Sequence, residues 1–81
     1  MDDIIKEITE RMGKAQERYG SFMSTHEALG VALEEWNELT QAIQSNKLES
    51  VRWEALDLAA VLIRLADEIR TNGILMGRSK K

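Results

Sequence analysis

Glu34-Glu35-Trp36-Asn37-Glu38 has an acidic echo twenty residues on, Glu54-Ala55-Leu56-Asp57. Both stretches lie in segments with strong helical signals. Residues three or four apart share one face of a helix, so Glu34 and Glu38 align, Glu35 lies one step round, and Glu54 and Asp57 make a second pair. Two helices packed with these faces opposed would bring up to five carboxylates within a few ångströms. Such a cluster repels itself unless something positive sits inside it. Hard divalent cations prefer oxygen ligands, which makes Mg²⁺ the first candidate and Mn²⁺ a possible substitute.

The segments around these stretches predict an all-α fold. The chain has 81 residues, no Pro and no Cys, so disulfides, thiolate zinc sites and a Cys nucleophile are excluded. A single domain of this size buries only about 60% of its unfolded surface, and oligomerisation is a common remedy. The net charge of −3 is a poor start for a nucleic-acid binder, which wants a basic face. The opening Met1-Asp2-Asp3-Ile4-Ile5 has no basic n-region and no apolar run is long enough to span a bilayer. The expectation is a cytoplasmic protein that binds neither nucleic acid nor membrane.

Three helices follow from periodicity. Ile4, Ile5, Ile8, Met12, Ala15 and Tyr19 form one stripe, predicting a helix from an Asp2 or Asp3 cap to about Arg18, with Gly20 as terminator. Tyr19-Gly20-Ser21-Phe22-Met23 is a loop with two aromatic anchors. Ser24-Thr25-His26-Glu27 fits a capping box, so a second helix should run from Thr25 to about Ser45, with Leu29, Ala32, Leu33, Trp36, Leu39 and Ile43 facing a core. No Lys or Arg occurs between Arg18 and Lys47. The acids of this helix therefore lack local counter-charges, and Glu35 projects between Ala28, Val31 and Ala42, which predicts a half-buried acidic face. Asn46 or Ser50 should cap a third helix that runs to about Thr71 and stops at Asn72-Gly73. Its apolar positions span more than half its circumference, with Glu54 inside the arc, so it must be covered on two sides. Residues 73–81 read as a short or frayed tail, and 1–81 as a single domain.

The spacing Glu35-x-x-Glu38, fifteen intervening residues, Glu54-x-x-Asp57, preceded by Glu34 and followed by the mainly apolar run Leu58–Asp67, resembles the all-α nucleoside triphosphate pyrophosphohydrolases of the MazG-like superfamily. The likeness covers roughly residues 19–70, and Tyr19-Gly20-Ser21-Phe22 before His26-Glu27 is similar to a small phage-type branch. The resemblance implies hydrolysis of (deoxy)nucleoside triphosphates to monophosphate and pyrophosphate, Mg²⁺ as cofactor, and a homodimer or dimer of dimers built on four-helix bundles. It also implies that Glu34, Glu35, Glu38, Glu54 and Asp57 hold the metal, with Glu34 or Glu35 activating the water. Relatives usually continue with further helices after the second acidic pair, and this chain stops soon after it.

The remaining candidates each have a bland counterpart. His26 could be a general base or substrate contact, but its place in a capping sequence favours a local structural role. Trp36 belongs to the apolar stripe and is expected in the core. Trp53, on the polar side of helix three, could stack on a base or sit at an interface. Arg64 could meet a phosphate or pair with Glu68 four residues on. Arg78, Lys80 and Lys81 could close over a triphosphate or simply solubilise the tail. The rival to an enzyme is a non-catalytic helical oligomerisation or adaptor module whose acidic face docks a basic partner.

Overall fold

A computed structural model describes residues 1–72, with Asn72 described by its backbone alone. Among these residues the protein is all-helical: α1 spans Asp2–Tyr19, α2 Thr25–Gln44 and α3 Leu48–Asn72. The expected Gly73 stop and the basic tail with Arg78, Lys80 and Lys81 lie outside the described residues. No helix is long and apolar enough to cross a membrane.

The helix ends show which signals the chain uses. Met1, not Asp2 or Asp3, occupies the N-cap of α1, and no side chain caps it. Both Asp residues fall in the first turn, where their charge favours the helix dipole. The capping sequence of α2 forms as expected. Ser24 Oγ accepts from the Glu27 N–H at 3.2 Å, while Glu27 Oε1 reaches past the cap to accept from the Met23 N–H at 2.6 Å. Asn46 does not cap α3; it ends α2. It adopts φ 58°, its N–H donates to Ile43 O, and the Lys47 N–H donates to Ala42 O. This is a Schellman closure, with Asn in the left-handed position that Gly often fills.

α3 is the spine of the fold. It packs against α2 and against α1, whereas α1 and α2 do not pack against each other. The core is small: Phe22, Ala28 and Val61, with Val31, Ala32 and Leu65 packed on it. Leu56, Ala60 and Ala42 are also buried. On α2 the inward face is the Ala28, Val31 and Ala42 side, whose short side chains let α2 approach α3 closely.

The expected core stripe of α2 is overturned for its four larger exposed members, while Ala32 packs on the core and Leu39 is half-buried. Leu29, Leu33, Trp36 and Ile43 are 53–57% exposed. The protomer turns its small-residue and Glu35 face inward, because Glu35 and Glu54 must share the α2–α3 seam and the larger apolar groups then point away. Trp36 is therefore a surface residue at 54% exposure. α3 likewise leaves Leu62, Ile63 and Ile69 exposed. Among the described residues its two-sided cover is incomplete.

Between α1 and α2 the loop is anchored by Phe22. Its ring lies 4.4 Å beneath the Arg64 guanidinium, and its N–H donates to Glu68 Oε1 at 2.7 Å. Arg64 pairs with Glu68 at 3.3 Å and donates to Gly20 O at 2.8 Å. Both side chains of that pair are almost wholly buried. Gly20, at φ 74°, turns the chain so that its carbonyl meets Arg64; an L side chain is strained in that region.

Candidate metal centre

Glu35 and Glu38 rise from consecutive turns of α2, and Glu54 faces them from α3. One carboxylate oxygen from each lies within 4.8 Å of the others. Glu35 and Glu54 are half-buried and Glu38 is exposed. Glu35 Oε1 and Glu54 Oε1 are shielded from solvent and accept no hydrogen bond among the described residues. Buried carboxylate oxygens without donors are costly.

The electrostatics follow from this crowding. Burial, reinforced by the negative charges of Glu38, Asp57 and Glu54, raises the Glu35 carboxyl from its ordinary 4.5 to about 7. Glu54 is also raised, first by burial and then by its contact with Glu38. Such a cluster holds a proton near neutral pH, or it accepts a cation in the proton's place. Three oxygen donors from two helices suit a hard divalent ion with remaining positions open to other oxygens.

Asp57 is placed differently. Its Oδ1 accepts from Arg11 Nε at 2.7 Å. Arg11 also lies 3.9 Å from Glu7, which pairs with Arg52 at 2.6 Å. This Arg52–Glu7–Arg11–Asp57 ladder ties α1 to α3. The acids thus lack counter-charges along α2, as its sequence indicated, but α1 supplies one across the fold. Glu34 is exposed and, with Glu35 and Asp57, lines a cleft of about 590 Å³ between α1 and α2 that α3 floors. The five sequence-nominated carboxylates therefore divide: Glu35, Glu38 and Glu54 converge, while Glu34 and Asp57 border the adjoining cleft.

The other nominated residues separate further. Arg64 lines the cleft but is occupied by Glu68, Gly20 and Phe22, with its Nε buried and unpaired among the described residues. His26 is exposed at the start of α2 and does not border the cleft. Trp53 is 53% exposed, donates to Glu49 Oε2 at 3.1 Å, and lies outside the cleft lining as well. Sequence reasoning missed Arg11, Lys14 and Arg18, which line the cleft from α1. Their recurrence at i, i+3 and i+7 was the available signal for a single basic face.

No family model matches the chain, and no curated protein or solved structure matches it at a significant level.

Proposed function

We propose that the protein is a Mg²⁺-dependent nucleoside triphosphate pyrophosphohydrolase, cleaving (deoxy)nucleoside triphosphates between the α and β phosphates to give monophosphate and pyrophosphate. The observation that carries this is the convergence of Glu35, Glu38 and Glu54, two of them with one buried oxygen that accepts no hydrogen bond among the described residues. Unmet acceptors of like charge, next to a cleft large enough for a small ligand, fit a divalent cation better than a solvated acidic face. An adaptor that docks a basic partner would aim its carboxylates outward, whereas Glu35 and Glu54 sit in the α2–α3 seam.

Glu35, Glu38 and Glu54 would hold the ion, with Asp57 and Glu34 completing the set from the cleft side. When bound, Mg²⁺ neutralises phosphate oxygens and makes a nearby water more acidic. Glu34 and Glu35 border the cleft where the substrate's phosphates would lie. One of the two, Glu34 or Glu35, would orient the water or take its proton. The resemblance of the acidic motif to the MazG-like pattern supports the same chemistry.

The working unit we propose is a homodimer or dimer of dimers in a four-helix-bundle arrangement. Leu29, Leu33, Trp36 and Ile43 are spaced 4, 3 and 7 apart, the interval of a bundle seam, and each is more than half exposed. With Leu62, Ile63 and Ile69 of α3 they offer apolar surface that a second copy would cover. The proposed seam draws on α2 and α3.

The test is pyrophosphate release from a panel of ribo- and deoxynucleoside triphosphates with Mg²⁺. Wild-type protein should turn over at least one of them, Glu38→Ala and Asp57→Ala should not, and both variants should keep their helical signal. Release by the variants at the wild-type rate would refute the assignment.

A further inference from the structure

We propose that the basic face of α1, Lys14 and Arg18 above all, is the polyphosphate-binding wall of the cleft; this rests on the triphosphate function proposed above. Arg11, Lys14 and Arg18 recur along one side of α1 and border the same cleft as Glu34, Glu35 and Asp57. The cleft therefore has an acidic side on α2 and α3 and a basic side on α1. A ligand that bridges them must carry negative charge toward α1 and share a cation with the carboxylates. A metal-bound polyphosphate chain has both properties, and a volume of about 590 Å³ accommodates it.

The cations of this wall are not equivalent. Arg11 is spent on Asp57 and Glu7, and Arg64 on Glu68 and Gly20. Lys14 makes no ion pair or hydrogen bond among the described residues. Arg18 has only the ring of neighbouring Tyr19, 5.5 Å from its guanidinium. Both side chains are exposed and lie one helical turn apart, so their heads can engage successive phosphates. Lys14 makes no such contact and Arg18 touches only the exposed ring of Tyr19, so both can be neutralised with little effect on the fold.

The experiment is calorimetric titration of inorganic tripolyphosphate into wild type, Lys14→Gln, Arg18→Gln and the double variant, with and without Mn²⁺, alongside titration of Mn²⁺ alone. The expected result is Mn²⁺-supported tripolyphosphate binding that weakens about tenfold for each side chain removed. Binding of Mn²⁺ alone should not weaken, and Lys14→Arg should restore affinity. Tripolyphosphate binding unchanged in the double variant, or absent from wild type, overturns the proposal. If Mn²⁺ fails to bind wild type while tripolyphosphate binds and is lost in the variants, the basic wall stands and the metal-dependent function falls. Mn²⁺ binding with variant-insensitive tripolyphosphate is the reverse case.

Discussion

Arg11 of α1 donates its Nε–H to Asp57 Oδ1 of α3 over 2.7 Å, joining residues 46 apart in the chain. It is the one described contact through which α1 supplies positive charge to the acidic motif. The guanidinium has two opposed effects. It steadies the metal-free protein, and it competes with a cation for Asp57. Arg11→Leu should therefore lower metal-free stability by about 0.2–1 kcal/mol, the usual value for a partly exposed pair, while tightening Mn²⁺ binding. Thermal melts and Mn²⁺ titration of one variant check both signs. Weaker Mn²⁺ binding would show that Asp57 needs Arg11 to face the ion.

Glu35 gives a pH signature. Its folded carboxyl is raised to about 7 from an ordinary 4.5, so between those values the folded chain keeps a proton that the unfolded chain has lost. Metal-free stability should fall as pH rises through this window and level off above about 7. Glu54, raised in the same direction, adds to the slope. Melting temperatures from pH 4.5 to 8 should show a shallower decline in Glu35→Gln, and saturating Mg²⁺ should flatten the wild-type curve. A wild-type profile parallel to that of Glu35→Gln would remove the crowded carboxyl from the account.

The buried Arg64–Glu68 pair should dominate stability. Glu68→Ala would leave Arg64 without its charge partner and the Phe22 N–H without an acceptor, a change that costs about 3–5 kcal/mol. In a domain this small that is a large share of the total. Glu68→Gln keeps an acceptor for Phe22 and should cost less. Urea unfolding of the two variants ranks them, and equal losses would mean that the Phe22 hydrogen bond contributes little beside the charge pair.

The exposed apolar seam predicts self-association. Sedimentation should show wild type as a dimer or tetramer, and Leu33→Glu or Trp36→Glu should yield a folded monomer, since neither side chain is buried within the protomer. A monomeric wild type would leave these residues without the proposed role.

The sequence made the helices legible, and with them the pairing of the two acidic stretches, because periodicity and the Ser24 cap are local signals. It was also sufficient to place Glu35 among Ala28, Val31 and Ala42. It misjudged which face of α2 turns inward. Hydrophobicity alone favours burying Leu29, Leu33 and Trp36, whereas the protomer brings Glu35 to Glu54 and leaves the larger groups outside. Hydrophobic patterning cannot say whether an apolar stripe meets the same chain or another. The Arg11–Asp57 contact was equally hidden, since it joins distant positions and depends on how α1 crosses α3. Asn46 shows a subtler ambiguity: the same residue type caps one helix start or ends the preceding helix, and only its backbone conformation decides.

α1 has no fully buried residue and docks on the rest of the protein through α3 alone. Amide hydrogen exchange should accordingly find it the first element to detach, well below the energy of global unfolding. Detachment would carry Arg11, Lys14 and Arg18 away together. A ligand held by them would have to fasten the helix down, so its apparent affinity would include the undocking equilibrium, and exchange in residues 2–19 would slow as the ligand bound.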